Sequence, residues 1–409
     1  MSEMTFQLNR EMARSVLKKK AACGPEIDLR QYESEGDEHP YVDDPSKLPP
    51  EEKAVILGSG VILDDLSQRS ATFLQKDHSP VHFSSSQEGI EVTSLSKALE
   101  ADGWLDRYLW RALEADTDKF TAHLGVRETD GYLIRSLPGV KTTLPVQACL
   151  YLGHKNLAQR VHNIIVAEED SELHIITGCS SHPMSKGLHL GVTEFYVKRG
   201  AKLTFTMIHN WSPDIEVRPR SGAIVEENAV FMSNFVAMKR VHTMQMYPTT
   251  ECIGPNARVR LNSVLVAQPG SLMDVGSRVL LDGPGSRAEI ISRAISTGGD
   301  IVARGDIQGN APGVKGHLEC HGLLLAEKGT IHAVPELTGR LPGIDLSHEA
   351  AVGKIAEEEV EYLMSRGLSR DEATAMIVRG FLKVEIEGLP PMLEAELKKA
   401  IEDSEEALF

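Results

Sequence analysis

Residues 257–309 read "ARVRLNSVLVAQPGSLMDVGSRVLLDGPGSRAEIISRAISTGGDIVARGDIQG". Short β-rich runs follow one another, and strand length hardly varies. "GSLMDV" sets apolar Met273 and Val275 at a fixed offset behind the turn residue Gly270. "GSRAEI" sets Ala288 and Ile290 at the same offset behind Gly285. Alternation with period two makes one face of each strand apolar. A two-sheet sandwich also gives many short strands. The unbroken, even succession favours a solenoid, in which each coil stacks on the last and extends one core.

The same phase recurs upstream in "DSELHI" (Asp170, Leu173, Ile175) and "GAKLTF" (Gly200, Leu203, Phe205), and more loosely in "KGTIHAVPEL". The expected fold is therefore mostly β: a right-handed parallel β-helix-like core over 128–337. A mainly helical region, 1–127, precedes it, and a helical domain, 338–409, follows. In the first, "NREMARSVLKKKAA" (9–22) and "SLSKALEADGWLDRYLWRALEA" (94–115) carry apolar residues at helical spacing. The second has Leu95 and Leu99, then Leu105, Leu109 and Leu113. Residues 33–52 are acidic and proline-containing, an exposed connection. Near the C-terminus, Ser369 and Glu372 form a capping-box pattern, with Ala373, Met376 and Ile377 on one face behind it. Leu393, Leu397 and Ile401 mark a further helix.

Composition limits the function. The chain has 409 residues and a net charge of −16, which argues against nucleic acid or an anionic membrane surface as partner. No secretory leader pattern and no membrane-spanning apolar stretch is read at sequence level. The 5 cysteines, Cys23, Cys149, Cys179, Cys252 and Cys320, are odd in number and scattered, which is no disulfide framework and suits a reducing cytoplasm.

No Walker A loop, dinucleotide fingerprint, nucleophile elbow, H-E-x-x-H or Cys-x-x-Cys pair is present. If ATP matters here, a partner is therefore expected to hydrolyse it. What remains is sparse. "GHLECHGLLL" (316–325) puts Cys320 between His317 and His321. Strand alternation sets Cys320 with Leu318 and Leu324 on one face, and His317, Glu319 and His321 on the other. "LSHEAAVGKI" adds His348 and Glu349 just before a helical segment. Thiolate, imidazole and carboxylate are all competent iron ligands. Equally, Cys320 suits a buried core position, and His348–Glu349 suits a polar loop. Cys179 lies in a histidine-bearing stretch with His174, His182 and His189, and Cys252 opens a strand.

Several phrases together resemble the SufB/SufD family of iron–sulfur cluster assembly scaffolds: "DGYLIRSLPGVKTTLPVQA", "IIVAEEDSELHIITGCSS", "GAKLTFTMIHNWSP", "NFVAMKR", and above all "ECHGLLLAEKGTIHAVPEL" with "LSHEAAVGKIAEEEVEYLMSRGLSRDEATAMIVRGF". The likeness is collinear over about residues 130–390. It implies a β-helix core with helical flanks, dimers paired through the β-helix ends, and a C-terminal helical domain that docks SufC, an ABC ATPase. It also implies a transient iron–sulfur cluster passed on to recipient apoproteins.

Carried over residue by residue, Cys320 matches the family's cluster-site cysteine, and His348 and Glu349 match the SufB-type His-Glu pair. SufD-type members have His-Gly there, so the chain resembles SufB. The family's site lies between subunits, so a homodimer, or a pair with a SufD-like partner, is expected. One departure stands out: the resemblance leads one to expect a sulfur-accepting cysteine shortly after the "NFV-x-KR" motif. "NFVAMKRVHTMQMYP" has His242 and Thr243 there and no thiol. Cys252, Cys179 or free sulfide are the candidate routes for sulfur. Competing readings are a cluster-free adaptor that docks the ATPase, and a β-helix polysaccharide-active enzyme, which needs convergent carboxylates on one face.

Overall fold

The fold comes from a computed structural model, which describes residues 3–101, 103–127 and 129–382. The expected helix carrying Leu393, Leu397 and Ile401 lies outside the described residues. The chain is mostly β, 46% strand and 17% helix, wound as a stack of two-sheeted coils.

One sheet runs through Glu172–Ser181, Lys202–Asn210, Val230–Ala237, Arg258–Ala267, Arg287–Ser296, Lys315–Leu324 and Asp345–Lys354, all parallel. Glu172, Lys202, Val230, Arg258, Arg287, Lys315 and Asp345 stand side by side in register. The second sheet returns the chain through strands such as Lys186–Val197, Leu272–Leu281, Asp300–Gly309 and Thr330–Gly339. Parallel neighbours need a crossover, and here the crossover is a strand of the opposite sheet.

What forces the turn at each coil is a left-handed residue just before the strand. Asp170, Gly200, Asn228, Asn256, Gly285, Gly313 and Gly343 all have φ between 55° and 79°. Glycine takes this conformation without steric cost, and Asn and Asp tolerate it better than other residues. The turn residues picked out in the sequence at 170, 200 and 285 are members of this series. Leu173 pairs with Leu203, and Ile175 with Phe205, so the apolar phase becomes a row of inward side chains. One continuous core fills the space between the sheets from Ala71 to Cys320.

The stack differs from the sequence expectation at both ends. Strands begin at Ala71–Lys76, which pairs antiparallel with Ser79–Ser85 and parallel with Val146–Leu152. They end at Lys354 rather than 337, so His348 and Glu349 sit in a strand, not a loop. The segment 94–115 is not one helix. Leu95–Ala101 is helical, Gly103–Arg107 is a 3-10 turn, and Trp110 has φ 57°. The cause is a carboxylate on the solenoid. Buried Glu194 accepts hydrogen bonds from the backbone of Trp110 (2.6 Å), Arg111 (2.7 Å) and Ala112 (2.9 Å). It also accepts from the Tyr196 hydroxyl at 2.8 Å and pairs with His162 at 2.9 Å. A second core forms where this N-terminal region covers the outer face of the second sheet.

Two helices follow the last coil, Glu357–Ser365 and Arg370–Leu382. Ser369 and Glu372 cap the second reciprocally: the Ser369 backbone donates to the carboxylate at 2.7 Å, and the Glu372 backbone donates to the hydroxyl at 3.2 Å. Its buried side differs from the expected one. Ala373 and Val378 are buried and Phe381 half-buried, while Met376 is exposed. Val378 packs on Val264, Ile295 and Leu323, which project outward from the first sheet. No described helix is long and apolar enough to cross a membrane.

Candidate functional site

The strand Lys315–Leu324 alternates as its sequence dictates. Leu318 and Cys320 face the core, and His317, Glu319 and His321 face outward. Cys320 is 2% exposed. Its register neighbours are Ser292 on the preceding coil and Ala350 on the last. His348 pairs with Leu318, so it belongs to the inward face, and Glu349 pairs with Glu319 on the outward face. His348 is nonetheless exposed, because no further described coil stacks on Asp345–Lys354. Cys320 and His348 thus lie on one face of adjacent strands, two residues apart in register, with Cα atoms roughly 8 Å apart by strand geometry.

Glu349 is oriented by the outward row. Its carboxylate lies 4.0 Å from His321 Nε2, which is 3.3 Å from Glu319. Arg293 pairs with Glu319. His317 Nδ1 meets the Ser347 hydroxyl at 2.9 Å. His317 and His321 are therefore anchors for their own face and do not share a pocket with Cys320. Alternation along one strand put Glu319 and His321 on the same face, but Arg293 and Glu349 join the row only through the coil register, 26 and 28 positions from their partners.

Burial, and next the Glu319 charge, push the Cys320 thiol up to about 11, so the free site holds a neutral thiol. A metal ion that binds a cysteine takes the thiolate, so binding at such a thiol would release a proton. Among the described residues no group of three or more His, Cys, Asp or Glu side chains is placed to hold a metal ion.

All five cysteines are free thiols. Cys179 and Cys252 are fully buried in the solenoid core, and burial raises both thiols, Cys252 to about 12. The structure does not bring Cys179 to Cys320. Five strand spacings separate their strands, about 24 Å. Between the sheets lies a cavity of about 60 Å³ whose walls include Thr250, Ser263, Ser277, Ser292 and Arg304. Ser263 and Ser292 share the inward row that leads to Cys320. Serines alternating with apolar residues were the sequence signal for this polar row, but the strand spacing alone does not distinguish it from a turn-rich surface.

Residues 150–381 match the SUF system FeS cluster assembly SufBD core domain. An iron–sulfur cluster assembly SufBD family protein of Methanothermobacter thermautotrophicus (strain Winter) is 48% identical over 94% of this chain and 96% of that one. One from Archaeoglobus fulgidus is 54% identical over 84% of this chain and 93% of its own. The iron–sulfur cluster assembly protein SufB of Bacillus subtilis is 31% identical over 77% of this chain and 68% of its own. A collinear match across more than half the chain, on a solenoid of the expected kind, decides the matter: the chain belongs to the SufBD family of iron–sulfur cluster assembly proteins.

Proposed function

We propose that the chain is a scaffold on which a nascent iron–sulfur cluster is built between two subunits and handed to recipient apoproteins. Cys320 of one subunit and the His348–Glu349 pair of the other hold the cluster, which is cargo rather than a resident group. The observation that carries this reading is the exposed His348 on the inward face of the last coil, one strand from the buried Cys320. A single chain offers too few ligands there, and a second open end completes the shell. An interfacial site also suits release, since separating the subunits removes half the ligands at once.

The two subunits are identical, giving two sites per homodimer, or the second is a SufD-like partner. A SufC-like ABC ATPase supplies the work through the C-terminal helical domain. Tyr362, Met364 and Met376 are exposed on its described part, an apolar set suited to a partner surface. The setting is a reducing cytoplasm. Sulfur arrives as free sulfide or through Cys252 or Cys179. Favouring the relay, Cys252 belongs to the same interior, two residues from Thr250 on the cavity wall. Against it, both thiols are held neutral by burial and need a base or a metal to react.

A second reading has its own support: Cys320 buried at the end of the solenoid core fits an adaptor that docks the ATPase and carries no cluster. Anaerobic reconstitution with ferrous iron and sulfide separates the two, comparing wild type with Cys320→Ala by visible absorption and Mössbauer spectra. The scaffold reading expects a cluster in wild type and none in a folded variant. A cluster unchanged by the substitution sends the search to Cys179 and Cys252, and no cluster in either supports the adaptor.

A further inference from the structure

The basic N-terminal stretch that ends in Lys18, Lys19 and Lys20 has no part in the cluster site. Lys18 borders a cleft of about 660 Å³ between the N-terminal segment and the helix Lys119–Gly125. Arg30, Lys119, His123 and Arg127 also line it, and Leu17, Ile27, Leu29 and Tyr32 give it an apolar wall. Arg160 stands behind, donating to the carbonyls of Ser34 (2.6 Å) and Ala158 (3.4 Å).

Two of these cations are already neutralised. Lys119 pairs with Glu26, and Arg30 with Asp28 at 2.8 Å. Lys18, Arg127 and Arg160 form no ion pair among the described residues. Arg127 donates instead to His123 Nε2 at 3.0 Å. Burial and the Arg127 and Arg160 guanidinium groups push His123 down to about 4. Burial and Arg160 do the same to His78, whose Nε2 lies 3.2 Å from the Arg160 backbone nitrogen. In a chain of net charge −16, a concave site lined by two unpaired cations, Lys18 and Arg127, with buried Arg160 behind it, stands apart.

We propose that this cleft binds a small oligophosphate anion, with Lys18 and Arg127 as its direct contacts and Tyr32 beside its carrier. A lone carboxylate neutralises one cation, whereas a diphosphate answers both Lys18 and Arg127 and presents oxygens that match the guanidinium donors in pairs. Its source is either free pyrophosphate or the diphosphate of a nucleotide. The apolar wall and Tyr32 give a base somewhere to rest. This inference is independent of the cluster site.

Isothermal titration of the full chain with pyrophosphate, adenosine diphosphate and citrate tests it. One pyrophosphate site is expected, weakened by salt. Lys18→Gln and Arg127→Gln each weaken it about tenfold, the loss of one charge-assisted contact. Both side chains are exposed, so both variants should keep the wild-type melting temperature. Arg199→Gln, which breaks a surface pair with Glu169 outside the cleft, leaves binding unchanged. Tighter binding of adenosine diphosphate than of pyrophosphate assigns a nucleotide, and equal binding assigns the free anion. Absence of pyrophosphate binding, citrate binding as tight as pyrophosphate, or full affinity in the Lys18→Gln, Arg127→Gln double variant overturns the proposal.

Discussion

Cys320 and His348 face the same interior from neighbouring strands, yet one is 2% exposed and the other open to solvent. Both sit where inward-facing residues belong. The difference is that Cys320 has a coil on either side, while among the described residues His348 has one on a single side only. Position in the stack, not residue type, makes one a protected thiol and the other an available imidazole.

Cys320→Ala removes a small buried group with no hydrogen bond of its own to lose, so it costs only about 1 kcal/mol of stability. Iron retention should fall far more than stability does. Denaturant unfolding beside iron content after reconstitution checks both, and a variant that unfolds would show that Cys320 matters as packing.

If Cys320 is an iron ligand, as proposed, its raised thiol gives iron binding a pH dependence. The free thiol holds its proton until about pH 11, and a metal-bound thiolate would have lost it. Ferrous iron affinity should therefore rise about tenfold per pH unit between about 7 and 9. Anaerobic iron titrations at several pH values measure the slope, and a flat profile would exclude Cys320 as a ligand. The sign for folding is separate. A thiol raised in the folded state above its ordinary 9.0 contributes stability below pH 9 that is lost as pH climbs towards 11.

Glu194→Ala leaves three backbone donors, the Tyr196 hydroxyl and His162 without their shared acceptor. A loss of about 3–5 kcal/mol is expected, by analogy with breaking a buried pair. The damage should centre on residues 108–112, so hydrogen exchange there should rise before the distal coils respond.

Asn256, with φ 58°, marks the turn of its coil. Asn256→Gly should be neutral or slightly stabilising, while Asn256→Val forces a β-branched residue into the left-handed region at about 1–2 kcal/mol. Equal melting temperatures for the two variants would mean that the turn is not held by its backbone conformation.

Much of this was legible in the sequence because stacking repeats a local rule. Gly200 and Gly285, followed by alternating apolar residues, contain the turn, the strand and the inward row together. Sequence alone lost the last coil, Asp345–Lys354. With no described coil stacked on its far side, His348 and Ala350 occupy inward positions that need not be large and apolar, and the alternation fades. The break at Trp110 was equally hidden, since its cause, Glu194, is 84 residues away. The alternation did set Cys320 apart from His317 and His321. It could not bring His348 to Cys320, which depends on a register of 30 residues between coils.

The central claim is that the cluster's ligands come from two chains, and co-expression of a Cys320→Ala chain with a His348→Ala chain tests it most directly. In a mixed dimer, one of the two sites would carry both lesions and the other neither. Random pairing should then restore about a quarter of the wild-type cluster, although each variant alone holds none. No recovery in purified mixed dimers would place both ligands in one chain and contradict the account.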